Sequence, residues 1–239
     1  MLIANTRQMS RSGLYFCFII LSILVCENTQ AQDWANIERY REENAVVGSS
    51  SKSEERVVFM GNSITEGWKL VSPKFFSSRS YINRGISGQT TPQMLHRFRN
   101  DVISLRPAAV VIMAGVNDIA GSTDPSTLKR VENNLVLMAE MARENSIRVI
   151  LCSVLPVHDF PWYPDSNPDE EIPVLNSMIK SYAEKNGFIY LDYFSSMVDE
   201  RNGLKDEYTY DGIHPNKAGY RIMEPLAEEA IEKALIEYR

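Results

Sequence analysis

Four short aliphatic and β-branched runs, at residues 57–60, 109–114, 148–153 and 188–192, recur along the chain with helical patterns between them. That alternation limits the fold more than any other feature. Short apolar runs without polar alternation suit strands buried on both faces, as in a parallel sheet. Residues 80–83 read as a shorter fifth strand. Leu128, Val131, Leu135, Met138 and Ala142 recur at spacings of three and four, predicting an amphipathic helix capped by Asp124 with Pro125 in its first turn. A second helix is expected over 173–186, stopped by Gly187, and a third over 216–238, with Tyr220, Met223, Ala227, Ala230, Ile231 and Ala234 largely along one face. Strands alternating with helices predict a layered α/β domain with right-handed crossovers.

Composition narrows the function classes. With 239 residues, 44% hydrophobic and 23% charged, the chain has the make-up of an ordinary globular domain, which excludes disordered, collagenous and coiled-coil classes. A net charge of -6 lacks the positive field that sequence-independent nucleic-acid binding needs, so no nucleic-acid partner is expected.

The amino terminus reads as an address. Arg7 and Arg11 precede an apolar run over 14–25, followed by a polar stretch ending in Ala31, the pattern of a secretory signal peptide over 1–31. The run is short against the ~20 residues that span a bilayer core, so no stable transmembrane anchor is expected in the mature chain. Cys26 offers a competing lipoprotein reading, which Val25 disfavours because it is bulkier than the small residue that normally precedes a lipidated cysteine. Cleavage after Ala31 would leave one domain over 32–239, with Cys152 as its single cysteine. No disulfide framework follows, and Cys152, inside an apolar run, reads as a buried thiol. The expected location is a bacterial periplasm or cell exterior.

In open α/β sheets the working groups gather at the carboxyl ends of the strands. The segments there are G-N-S-I-T at 61–65, R-G-I-S-G-Q-T-T at 84–91, A-G-V-N-D at 114–118, a loop over 154–171, and Y-D-G-I-H-P at 210–215. Ser63 sits in a strand-to-helix turn that can present a hydroxyl as a nucleophile, or simply cap a helix. His214 follows Asp211 by three residues, a spacing that can set carboxylate against imidazole as base and orienter, or cap a turn. Two such groups do not make a zinc site, and no metal is expected. Gly88 can expose a backbone N–H and Asn117 a side-chain amide to an oxyanion, or serve as turn glycine and loop-holding asparagine. His96 reads as a packing residue, and His158 as a loop residue beside Asp159. Four strand ends offering nucleophile, two donors and an acid–base pair make a combination that chance rarely assembles.

These blocks, in this order, resemble the SGNH hydrolases, also called GDSL-type esterases or lipases, over residues 57–220. The resemblance implies a flavodoxin-like, three-layer fold with five parallel strands between helices. It implies Ser63 as nucleophile, Asp211 and His214 as acid and base, and the Ser63 amide, Gly88 and Asn117 as oxyanion hole, with no cofactor. Asn62 departs from the family's aspartate, at a position that the triad does not use.

Within that reading, the expected substrate is a short-chain ester, acetyl above all, on a carbohydrate. The loop over 154–171 carries Phe160, Trp162 and Tyr163, flat faces for sugar rings or a cover for the core, and Trp68 is a further candidate wall. Lysophospholipase or thioesterase action on lipid-like esters is the alternative. A catalytically silent glycan-binding relative is a further one. A nucleotide-binding module fits poorly, because residues 85–91 lack a Gly-Lys-Ser/Thr ending and no G-x-G-x-x-G follows the first strand.

Overall fold

The computed structural model describes residues 33–48 and 56–236. The signal-peptide reading of 1–31, together with Cys17 and Cys26, therefore lies outside the described residues. Five strands, β1 (Val57–Gly61), β2 (Tyr81–Gly85), β3 (Ala109–Met113), β4 (Arg148–Cys152) and β5 (Ile189–Leu191), form one wholly parallel sheet in the order β2-β1-β3-β4-β5. All five runs read from the sequence are strands, shifted by one or two residues at their ends. Every residue of β1 and β3 is buried, as continuous apolar runs require when both faces of a sheet are covered.

The helices are α1 (Arg41–Gly48), α2 (Ser63–Val71), α3 (Pro73–Ser77), α4 (Thr91–Asp101), α5 (Val116–Ile119), α6 (Thr127–Glu144), α7 (Pro168–Asn186), α8 (Phe194–Met197) and α9 (Lys217–Ile236). The chain leaves β1 toward β2, then doubles back across β1 to β3 and continues to β5. Right-handed crossovers therefore put α2 on one face of the sheet and α4, α6 and α7 on the other. Helix α9 returns to pack with α2, so the architecture is the three-layer, flavodoxin-like α/β fold. Strand order reverses between β1 and β3, and the crevice outside their carboxyl ends lies there.

Two helix starts differ from the sequence reading. Helix α7 begins at Pro168, five residues before Pro173, which lies inside it. A proline cannot donate to the carbonyl four residues back, and here the Asn202 amide donates to that carbonyl, Asp169 O, at 3.0 Å. The loop shortens accordingly to 154–167. Helix α6 begins at Thr127 rather than at Pro125, because Asp124 holds a preceding turn: its Oδ1 accepts from Ser126 N at 2.8 Å and its carbonyl from Thr127 N at 2.9 Å. In α9, the six residues expected on one face are all buried, and Asn216 caps its start by accepting from Ala218 N and Gly219 N.

Candidate active site

Ser63 is the first residue of α2, two residues past the end of β1. Asn62 caps that helix, its Oδ1 accepting from Ile64 N at 3.0 Å, and it is 2% exposed. The amide at the position of the family's aspartate thus performs a capping task that needs only an acceptor oxygen. Ser63 Oγ lies 3.0 Å from His214 Nε2.

His214 belongs to a tight loop, not to a helical turn. Thr209 and Pro215 form an antiparallel bridge, and Tyr210 N donates to His214 O at 3.1 Å across the loop mouth. Inside it, Asp211 Oδ1 accepts from Ile213 N at 3.0 Å and His214 N at 2.8 Å, while Oδ2 lies 2.8 Å from His214 Nδ1. An ionised carboxylate can only accept, so the Nδ1 nitrogen carries the proton and Nε2 turns its lone pair to Ser63. Burial pushes the Asp211 carboxyl up, but the bonds from the His214 backbone and ring and from Ile213 N outweigh it and hold Asp211 below the ordinary aspartate range.

The loop after β2 supplies a free donor. Ile86 N donates to Gly61 O at 3.2 Å, Ser87 N to Glu66 Oε2 at 2.9 Å and Gln89 N to Ile86 O at 3.3 Å. Among the described residues, no acceptor takes Gly88 N–H. Gly88 sits at φ 76° with open space where a side chain would start, a conformation that favours glycine. Gly85, at the end of β2, packs so closely on α2 that an added Cβ would fall 2.1 Å from Glu66 N, which brings this loop against the helix that begins at Ser63. Asn117, in α5, donates one amide hydrogen to Gln89 O at 2.9 Å, and its second hydrogen remains.

A cleft of about 460 Å³ lies beside Asn117, between α4 and α6, lined among others by Thr90, Pro92, Asp118, Thr127, Asn133 and Asn134. Asp118 accepts from Thr91 N at 3.0 Å and Thr91 Oγ1 at 2.5 Å, and burial nevertheless pushes its carboxyl up. Arg130 reaches into the same cleft already bonded to Asp124 and to Thr127 Oγ1.

The outer residues divide. Trp68, expected as a wall, is 1% exposed and packed among Phe59, Phe75, Phe76, Tyr193 and Tyr220, so it offers no face to a ligand. Phe160 is likewise core at 3% exposure. In both cases a large ring is buried in the hydrophobic core, and packing decides its direction. Trp162 and Tyr163 are exposed, and the Tyr163 ring covers Gly121, two residues past the end of α5. His158 bonds the Arg201 carbonyl at 3.0 Å and faces Asp169, not Asp159, at 3.5 Å, while His96 stacks on Trp34. Cys152 is buried, and desolvation pushes its thiol far up. Glu66, Gln89 and Arg97, which organise the site from behind, escaped the sequence reading; the Arg97–Asp101 spacing of four on a helix was the one signal for any of them. Among the described residues, no three His, Cys, Asp or Glu side chains gather as a metal site, and no helix is long and apolar enough to cross a membrane.

The profile of the GDSL-like Lipase/Acylhydrolase family matches residues 59–222. The chain belongs to that family. This acylhydrolase shares its fold with a Bacteroides fragilis protein described as an acylhydrolase, which is 49% identical with a TM-score of 0.81 over 85% of this chain and 99% of that one. An uncharacterized lipoprotein of Bacillus subtilis, YqeF, is 32% identical over 127 residues, which span 46% of this chain and 52%, about half, of that relative. An acetylxylan esterase of Geobacillus stearothermophilus is 27% identical over 157 residues, covering 59% of this chain and 67% of that relative. Membership makes the protein a hydrolase of the esterase and acylhydrolase class.

Proposed function

We propose that the protein is a serine esterase that hydrolyses a short-chain ester, acetyl above all, on a carbohydrate. The observation that carries the reading is the unbroken line Ser63 Oγ, His214 Nε2, His214 Nδ1, Asp211 Oδ2, with steps of 3.0 and 2.8 Å. Ser63 Oγ attacks the ester carbonyl carbon as its proton passes to His214 Nε2. The oxyanion is stabilised by the amides of Ser63 and Gly88 and by the free hydrogen of Asn117 Nδ2. Collapse returns the proton from His214 to the departing alcohol and leaves the acyl group on Ser63. Water then adds to the acyl-enzyme, giving its proton to His214, and the carboxylic acid leaves as Ser63 recovers its hydrogen. Asp211 holds the imidazole in the required tautomer throughout and stabilises its charged form.

The amide and hydroxyl groups of Thr90, Asn133 and Asn134 in the cleft beside Asn117 favour a hydroxyl-rich alcohol over a fatty chain. Amide and hydroxyl side chains set against methylenes would lose their water partners without replacement. The Arg130 guanidinium, already paired with Asp124, leaves no unpartnered cation among the cleft residues for a phosphate headgroup. Similarity to an acetylxylan esterase points the same way. The lipid-ester alternative predicts the opposite chain-length preference.

The test is turnover of p-nitrophenyl acetate, butyrate and octanoate, and of acetylated xylan, by the parent and by Ser63→Ala. Turnover confined to the parent, greatest for acetyl and present on the polysaccharide, is the expected result. Parental rates in Ser63→Ala sink the serine mechanism. A preference for octanoate sinks the substrate class, and failure to react with a fluorophosphonate probe points to a silent glycan-binding relative. Export follows from the same reading of 1–31, and the mass of the mature amino terminus distinguishes cleavage after Ala31 from a lipid on Cys26.

A further inference from the structure

Residues 33–48 precede the stretch that the family profile matches, 59–222, yet they pack against the loop that carries Gly88. Tyr40 is buried, and its hydroxyl donates to the Gly85 carbonyl. The carbonyl of Ala35, a fully buried residue, accepts from Gln89 Nε2 at 2.7 Å, and that of Trp34 accepts from Gln93 Nε2 at 2.7 Å. Arg39 reaches Glu66 at 3.4 Å. Glu66 lies one turn past Ser63 on α2, and its Oε2 accepts from both Ser87 N, at 2.9 Å, and Ser87 Oγ, at 2.5 Å. The 85–89 loop is thus gripped from two sides, by the nucleophile's own helix and by the amino-terminal segment.

This grip acts on the peptide that ends in the free amide. Two bonds from one carboxylate to Ser87 restrict rotation of the residue immediately before Gly88. The Tyr40 and Gln89 bonds fix both ends of the turn. An oxyanion donor contributes most when it already points at the developing charge, with no rearrangement during the reaction. Glu66 is suited to the task as a charged acceptor: burial pushes its carboxyl up, but the Ser87 and Arg39 bonds outweigh that and hold it below the ordinary glutamate range.

We propose that Glu66 and Tyr40 are positioning residues for the Gly88 amide, so that the amino-terminal segment outside the family-matched stretch helps hold the oxyanion site in working geometry. The proposal rests on the role of Gly88 given above.

The experiment compares Glu66→Ala, Glu66→Gln and Tyr40→Phe with the parent in two readouts. One is kcat and KM for p-nitrophenyl acetate. The other is inhibition by butylboronic acid, whose tetrahedral adduct with Ser63 Oγ places a boron-bound oxygen where the oxyanion forms. Glu66→Ala is expected to lower kcat by about ten-fold or more and Tyr40→Phe several-fold, each with little change in KM, since a small misplacement of a donor is costly. The boronate inhibition constant rises by the same factor, and Glu66→Gln, which still offers Ser87 an acceptor, recovers most of both. Parental kcat and boronate affinity in Glu66→Ala and Tyr40→Phe overturn the proposal, as does a loss of kcat without a matching loss of boronate affinity. Should Glu66→Ala fail to fold, Tyr40→Phe, nearly the size of the original, decides it: parental kcat and boronate affinity in that variant overturn the proposal. Parental turnover in Ser63→Ala marks failure of the serine-esterase reading itself, whereas an inactive Ser63→Ala beside fully active Glu66 and Tyr40 variants marks failure of this proposal alone.

Discussion

The guanidinium of Arg97 donates from Nη2 to the Gly61 carbonyl at 3.0 Å, tying α4 to the last residue of the strand that delivers Ser63. The same side chain donates from Nε to Gln89 Oε1 at 2.5 Å and from Nη1 to Asp101 Oδ2 at 2.8 Å. Gln89 in turn holds Asn117 through its backbone carbonyl. One buried cation therefore links the strand ends that carry Ser63, Gly88 and Asn117. Burial pushes its pKa down, opposed by the bond and the charge of Asp101, and the side chains of the pair are 0% and 1% exposed.

Asp101→Ala leaves that cation in the core without its carboxylate. Breaking a buried pair by removing one partner costs about 3–5 kcal/mol, far more than an exposed pair contributes. Urea denaturation of the variant is expected to show a midpoint lowered to match, and a parental midpoint would contradict the linkage.

Asn117→Ala removes a proposed oxyanion donor and is expected to lower kcat for p-nitrophenyl acetate by about 10²–10³-fold, with a smaller change in KM. Asn117→Asp keeps the size but loses both donor hydrogens and adds a negative charge beside the oxyanion, so its loss is at least as large. Steady-state kinetics on the two variants checks both statements.

Trp68→Ala separates core from site. A large ring lost from a packed aromatic cluster costs about 3–5 kcal/mol, so the denaturation midpoint falls. Below that midpoint the folded enzyme keeps kcat/KM on p-nitrophenyl acetate within about two-fold, because the ring contributes no face to the ligand. A residue walling the site would give the reverse, parental stability with impaired kinetics.

Acid exposes two of the depressed carboxylates, those nearest Ser63 and His214 in the chain of bonds. Glu66 and Asp211 have folded-state pKa values below their unfolded ones, so each stabilises the protein fully above the unfolded value. That contribution is lost as pH falls through the folded value. Asp118, raised by burial, acts in the opposite sense, so the informative comparison is between variants. The urea midpoint of Glu66→Gln is expected to fall less steeply than the parent's as pH drops through and below the ordinary carboxylate range. Parallel curves would show that Glu66 carries no such linkage.

Much of this was legible in the letters. The strands at 57–60 and 109–114 announce themselves because burial on both faces demands uninterrupted apolar runs, and β1 and β3 are those runs. The spacing of Asp211 and His214 forecasts a carboxylate against an imidazole, since three residues suffice for one turn of chain. Local chemistry misled where long-range contacts decide. Pro173 looks like a helix start until Asn202, distant in sequence, takes the carbonyl it leaves open. Trp68 looks like a site wall because it lies five residues past Ser63, yet α2 turns its ring into the core.

Sequence alone determined the fold class, the family and the candidate reacting groups, because each is written in residues adjacent along the chain or periodic within one element. Tertiary structure decided which groups meet: Ser63 and His214, separated by 151 positions, come to 3.0 Å only because β1 and the loop ahead of α9 end at the same edge of the sheet. It also decided that Arg97, Gln89, Glu66 and Tyr40 stand behind the site. Hydrogen bonds between distant segments follow from how whole elements pack, and no local spacing encodes them.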